Sequence, residues 1–155
     1  MNGLPQLYFC AKFICDKKMI FSPITLIFLS LFLFLFALIS AAFFARSQRL
    51  LIYVSFSISA AASLIAVMGG IWTVSSGITE SAVIPIGLPD LPFHLRLDPL
   101  SGFFITVIGL LGVFVSIYSL GYCKGFLGQR SVTHLAIFYC LFIAGMFMVV
   151  LADDA

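Results

Sequence analysis

Cysteines are the residues of this chain with the chemistry to hold a metal ion or form a disulfide. Four residues separate Cys10 from Cys15, and neither a second such pair nor a nearby histidine completes a tetrahedral metal site. Cys123 and Cys140 each stand alone in the sequence. The spacing therefore predicts free thiols and no metal centre, and it leaves the disulfide state open.

The two histidines are the candidates for proton transfer. His94 lies in a proline-rich stretch between two long apolar runs, where a surface loop position is expected. His134 opens the last apolar run, where an interfacial histidine is favoured and a proton shuttle is the alternative. No nucleophile stands with a base, and no glycine loop could hold phosphate. We predict no catalytic residue, no cofactor-binding residue, no cofactor and no metal ligand in this chain.

The composition indicates what the chain contacts. Of its 155 residues, 63% are hydrophobic and only 9% are charged. Soluble domains carry about 25% charged residues, so an integral membrane protein is predicted, with the lipid bilayer as its main partner. The net charge of +2 is small and no basic block occurs, which argues against a nucleic-acid partner.

Four uncharged runs are long enough to position residues across a membrane. About 20 apolar residues span the hydrocarbon core of a bilayer. The runs cover about residues 20–45, 50–77, 99–121 and 133–152. No Asp, Glu, Lys or Arg lies within them, although such residues mark ion pathways when they occur in membrane spans. The sequence predicts an all-α integral membrane protein with four transmembrane helices.

Residues 78–97 break this pattern. Their prolines exclude a regular helix, and the alternation from His94 to Leu97 places His94 and Arg96 outward and Leu95 and Leu97 inward. We predict a short extracytoplasmic hairpin between the second and third spans.

The third span has the clearest local signals. Asp98 is a good N-cap, and Pro99 follows at the first helical position, where a missing N–H costs nothing. Small residues recur at steps of three and four in the second and third spans, which favours close helix packing. They are Ser55, Ser59, Ala62, Ala66, Gly70 and Thr73, and Gly102, Thr106, Gly109, Gly112, Ser116 and Ser119. The face of the third span from Gly102 to Ser116 is predicted to be buried against neighbouring helices.

The orientation depends on where translation begins. Residues 1–18 are a doubtful N-terminal extension, and Met19 opens the first span directly, so we expect the start at Met19. A cleaved signal peptide is less favoured, because the apolar run is too long. Without the extension, four basic residues lie in the turns 46–49 and 121–132, against Arg96 alone on the other side. The positive-inside rule then makes both turns cytoplasmic.

Four stretches carry a resemblance to a known family. They are Leu95-Arg-Leu-Asp-Pro-Leu-Ser-Gly-Phe-Phe, Val115-Ser-Ile-Tyr-Ser-Leu-Gly-Tyr, Leu141-Phe-Ile-Ala-Gly-Met and Leu151-Ala-Asp-Asp. They resemble the N-terminal part of the antiporter-like membrane subunits of NADH:quinone oxidoreductase, Mrp cation/proton antiporters and membrane-bound hydrogenases. The hydrogenase-4 and formate hydrogenlyase members are the most similar. Residues 1–94 follow the family only as a pattern of spans.

The resemblance implies both a role and a departure from it. Residues 19–155 would be the N-terminal four-helix part of a proton-translocating subunit in a hydrogenase-4 or formate hydrogenlyase complex. Its partners would be the other membrane subunits, in the bacterial inner membrane. The family's ion-path glutamate and lysine belong to the fifth and seventh spans, beyond Ala155, so we expect a fragment that lacks them.

Other parents and roles remain open. The chain could derive from an NADH:quinone oxidoreductase or Mrp subunit, or be a non-catalytic membrane scaffold protein. A small oligomeric transporter is disfavoured by the absence of charge within the spans. The chain itself shows no enzyme chemistry, whereas its parent would be a membrane subunit of an oxidoreductase.

Overall fold

The computed structural model describes residues 22–77, 79–88, 91–126 and 132–152. Within these ranges four α-helices are long and apolar enough to cross a membrane. They are α1 Pro23–Phe43, α2 Gln48–Ser76, α3 Pro99–Tyr122 and α4 Thr133–Leu151. This confirms the predicted all-α membrane fold with four spans. The doubtful extension 1–18, the start at Met19, and Cys10, Cys15 and Asp153-Asp154 lie outside the described residues.

Local residues set the helix boundaries. Pro23 and Pro99 occupy the first turns of α1 and α3, where proline needs no hydrogen-bond partner. Gly77 ends α2 in the left-handed conformation, with φ of 63°, which only glycine adopts without strain. Short 3₁₀ turns, Phe44–Arg46 and Cys123–Phe126, follow α1 and α3. At about 1.5 Å per residue, α2 is roughly 43 Å long and exceeds the bilayer core.

An antiparallel hairpin joins α2 to α3, as predicted. Its strands are β1 Glu80–Leu88 and β2 Leu91–Leu97. Pairing runs from Glu80 opposite Leu97 to Ile84 opposite Phe93, and then shifts before Gly87 pairs with Pro92. The shift includes Pro85, which has no N–H to donate to a strand ladder. The side of the membrane on which the hairpin lies stays a prediction.

The hairpin packs onto one end of the helix bundle. Leu95 and Leu97 are buried, whereas His94 and Arg96 are exposed, which confirms the predicted alternation. One further backbone bridge pairs Leu95 with Ala152, directly after α4. The hairpin therefore contacts α3, which follows it, as well as the last residues of α4.

Two apolar clusters form the core of the bundle. Helix α2 packs against both α1 and α3, and α4 packs mainly against α1. The cluster at the hairpin end comprises Ile27, Leu31, Phe34, Ala62, Ala66, Leu95, Leu97, Ile105, Ile108, Ile143, Phe147 and Leu151. The cluster at the opposite end comprises Ala41, Leu51, Ile52, Phe56, Cys123, Val132 and Ala136. Serine and tyrosine hydroxyl groups lie between the two clusters.

Candidate functional site

Four buried or half-buried hydroxyl side chains lie between the two apolar clusters. We call this set the hydroxyl layer: Ser59 and Ser63 of α2, Ser116 of α3 and Tyr139 of α4. The three serines are fully buried, and Tyr139 packs against both apolar clusters. Polar side chains can join helices inside a membrane, because lipid offers them no other partner. The hydroxyl layer is therefore the polar centre of the described bundle.

Tyr139 connects α4 to α3 through two hydrogen bonds. Its hydroxyl donates to the Gly112 carbonyl oxygen at 2.9 Å, and the Ser116 Oγ lies 2.9 Å from the Tyr139 hydroxyl oxygen. A phenol carries one proton, so Ser116 must be the donor in the second bond. The ring also contacts Phe56, with centroids 5.8 Å apart. Tyr139 thus fixes α4 against α3 at mid-bundle, where few other contacts join these helices.

The serines of α2 differ in how their hydroxyls are satisfied. Ser63 Oγ donates to the Ser59 carbonyl oxygen at 2.9 Å, which is a bond within the helix. Ser59 Oγ has no hydrogen-bond partner among the described residues. Ser55 lies one turn before Ser59 on α2, and its Oγ is 3.3 Å from the Oγ of Ser40 on α1. Leaving a buried hydroxyl without a partner costs about 1–3 kcal/mol, so Ser59 is the least satisfied member of the layer.

Glycines allow α2 and α3 to approach closely beside this layer. A Cβ on Gly112 would lie 2.6 Å from Ser63 Oγ, and one on Gly109 would lie 2.9 Å from Val67 Cγ2. On the partner helix, a Cβ on Gly70 would lie 2.7 Å from the Gly102 carbonyl oxygen. Real Cβ atoms do not come this near, so larger residues would separate the helices. The two small-residue faces are buried, apart from partial exposure of Thr106 and Ser119. They meet each other around Gly70 and Gly102.

At the hairpin end of the bundle, two carboxylates cap the starts of helices. Asp98 accepts a hydrogen bond from the Ser101 N–H at 2.6 Å, which confirms it as the N-cap of α3. Glu80 of β1 accepts from Ser22 Oγ at 2.6 Å and from the Ile24 N–H at 3.1 Å, and so caps α1. Sequence reasoning missed Glu80, because the residues that it caps are far away along the chain.

A second long-range cap lies at the opposite end. Gln48 Oε1 accepts from the Val132 N–H at 2.9 Å, and Gln48 Nε2 donates to Thr133 Oγ1 at 3.3 Å. Gln48 therefore joins the start of α2 to the start of α4. The sequence offered no local sign of this contact either, since Thr133 lies 85 positions after Gln48.

Among the described residues, the charged side chains and the histidines lie at the two ends of the bundle and not in its centre. His94 is exposed on β2, and His134 is exposed at the start of α4, so the structure does not bring the histidines together. Cys123 and Cys140 are buried free thiols on different helical segments. Among the described residues, no group of three His, Cys, Asp or Glu could hold a metal ion.

The chemistry of the centre is that of neutral hydrogen bonds. Serine and tyrosine hydroxyls carry no charge near neutral pH, since even a tyrosine titrates near pH 10. At the hairpin end, the Ser101 N–H lowers the pKa of Asp98 below its ordinary value. The arrangement suits helix packing, and the described spans hold no acid or base at depth.

Two comparisons with known proteins agree with this architecture. Residues 84–126 match the sequence model of the family described as NADH-Ubiquinone oxidoreductase (complex I), chain 5 N-terminus. That range runs from mid-β1 to the end of the 3₁₀ turn after α3.

The second match covers more of the chain. The chain is 34% identical over 128 residues to Hydrogenase-4 component B of Escherichia coli (strain K12). The alignment covers 81% of this chain and 19% of that protein, so the chain spans about a fifth of its curated relative. The alignment of 128 residues is longer than the stretch 95–155, which carried the resemblance in the sequence. The similarity therefore extends into the first two spans, where the sequence had indicated only a shared pattern.

Proposed function

Because the chain belongs to the antiporter-like membrane subunit family, we propose that it is the N-terminal helix-packing part of a proton-translocating subunit. The parent complex would be an oxidoreductase of the hydrogenase-4 type, in a bacterial inner membrane. The other membrane subunits of that complex would be its partners. The 34% identity to Hydrogenase-4 component B supports this parentage.

One observation carries the proposed division of labour. The described spans hold tightly packed small residues and a hydroxyl layer, but no Asp, Glu, Lys or Arg at depth. Charged residues within membrane spans are costly and mark the routes of ions. Glu80 and Asp98 lie at the hairpin end, while His134 lies at the other, with about 30 Å of bilayer core to cross. We therefore assign this part to packing and the proton path to other parts of the parent subunit.

A proton-flux measurement tests the packing role. The full chain, reconstituted into liposomes with an internal pH-sensitive dye, should match empty vesicles under an imposed potential. A specific leak that disappeared in the His134→Ala variant would contradict the proposal, because it would reveal a path through the bundle.

A second candidate has its own support. The match of residues 84–126 to the complex I chain 5 family favours an NADH:quinone oxidoreductase or a related Mrp antiporter as parent. A non-catalytic scaffold would use the same packing features without either complex.

Native separation of membranes distinguishes these parents. An epitope-tagged chain, expressed in a bacterium that holds both complexes, should migrate with hydrogenase activity on a native gel. Migration with NADH dehydrogenase activity would support the second candidate instead. Migration with neither activity would contradict the hydrogenase and NADH dehydrogenase parentages and support the scaffold or an Mrp antiporter instead.

A further inference from the structure

One end of the bundle carries positive charge without nearby carboxylates. At the end opposite the hairpin, Arg46, Arg49 and Lys124 are all exposed. The described acids, Glu80 and Asp98, both lie at the hairpin end. Within the described residues, the cations at this end therefore have no acidic side chain to neutralise them.

One of these cations lies over an aromatic ring, and a second lies on the same helix as that ring. The Lys124 Nζ lies 4.9 Å from the centroid of the Tyr53 ring, which is 51% exposed. Arg49 precedes Tyr53 by four residues on α2, so the two side chains share one face of that helix. A cation over a tyrosine ring is attracted to it but keeps its N–H donors for another ligand. The start of α2 and the 3₁₀ turn after α3 thus present two cations near one ring.

Small side chains line the surface of α2 beside this ring. Ser57 and Ala61 follow Tyr53 at steps of four residues, and both are exposed small side chains. They leave a strip along α2 that runs from the ring toward the middle of the membrane. A hydrocarbon chain can lie against such a strip while its polar head stays beside Tyr53.

We propose that Arg49, Tyr53 and Lys124 form a binding site for the phosphate of an anionic phospholipid. Arginine offers paired N–H donors to phosphate, and lysine adds a point charge. Tyrosine rings favour the headgroup level of a bilayer, where the phosphate lies. A lipid is the occupant because the site ends a membrane span and continues into a strip of small side chains on α2. The site does not depend on which complex the chain joins.

Thermal unfolding of the full chain in mixed micelles tests the site. Added phosphatidylglycerol should raise the unfolding temperature more than the same amount of phosphatidylcholine. A double Arg49→Gln, Lys124→Gln variant should lose most of this difference, whereas Lys124→Arg should keep it. The matched control is Arg96→Gln, which removes one charge at the hairpin end and should behave as wild type. Raised salt should shrink the difference, because it screens exposed charges.

Three results would overturn the assignment. The first is an equal shift with both lipids in the wild-type chain. The second is a difference that survives in the double variant or disappears equally in Arg96→Gln. The third is a full shift with inorganic phosphate alone, which would show an anion site without lipid. Native mass spectrometry should also find phosphatidylglycerol retained by the wild type and lost from the double variant.

Discussion

The carboxylate of Glu80 accepts a hydrogen bond from Ser22 Oγ at 2.6 Å, across 58 positions of sequence. The same oxygen accepts from the Ile24 N–H, which α1 itself cannot satisfy. The first residue of the hairpin therefore supplies the N-terminal cap of the first helix. Ser22 makes no side-chain cap bond of its own to α1, so this long-range contact replaces a local one.

Removing this cap should weaken α1. We expect Glu80→Ala to lower the free energy of unfolding by about 1 kcal/mol, the usual cost of losing an N-cap. Hydrogen exchange at the Ile24 amide should accelerate, since its acceptor is lost. Ser81→Ala, a change at an exposed neighbour, is the control and should leave both quantities unchanged. Equal exchange rates in both variants would contradict the capping role.

Close packing of α2 against α3 makes a second prediction. Gly112→Leu should destabilise the bundle by about 1–3 kcal/mol, because the new side chain meets Ser63 and the helices must separate. Phe114→Leu, at a side chain that is 62% exposed, should be mild. Denaturant unfolding in detergent measures both. Equal tolerance would show that the small-residue face is not a tight interface.

Two substitutions in the hydroxyl layer should affect the free energy of unfolding differently. Tyr139→Phe should cost about 1 kcal/mol, because the Gly112 carbonyl oxygen and Ser116 Oγ each lose a partner. Ser59→Ala should leave stability unchanged or raise it, because the Ser59 hydroxyl has no partner to lose among the described residues. Unfolding temperatures of the two variants provide the test. A loss of stability in Ser59→Ala would show that its hydroxyl is satisfied after all.

Asp98 should give the α3 cap a dependence on pH. Its pKa is lowered in the folded protein, chiefly by the Ser101 N–H, so ionised Asp98 stabilises the fold. That contribution is complete above the unfolded pKa of about 4 and is lost as the pH falls through the lower folded value. The stability gap between wild type and Asp98→Ala should be constant from pH 7 to 5 and shrink below pH 4. A gap that widened in acid would contradict the cap.

Labelling tests the predicted orientation of the chain. A Ser81→Cys probe at the hairpin end should react with a membrane-impermeant reagent added from outside. A Gly125→Cys probe at the basic end should react only after the membrane is opened. Both positions are exposed. Outside labelling at Gly125 alone would reverse the topology.

Features with local signals were predictable from the sequence. Asp98 and Pro99 marked the start of α3, and alternation marked Leu95 and Leu97 as the inward residues of β2. In these cases the residue and its neighbours along the chain determine the structure. The small-residue faces were equally visible, since helical spacing alone places their members together.

The contacts that join distant segments were not predictable. Tyr139 stands among apolar residues and gives no sign that its hydroxyl reaches Gly112 and Ser116 on another helix. The caps by Glu80 and Gln48 likewise depend on how helices dock, which no local pattern encodes. Sequence reasoning therefore located the packing faces but missed the polar groups that fix their relative positions.

The backbone bridge between Leu95 and Ala152 closes a ring of chain that includes all of α3 and α4. Sliding α4 along its axis by one turn, about 5.4 Å, would have to break this bridge and the Gln48 contact at the other end. A piston-like stroke of this helix is therefore opposed at both faces of the membrane. The two contacts therefore hold α4 at a fixed height relative to β2 and to the start of α2.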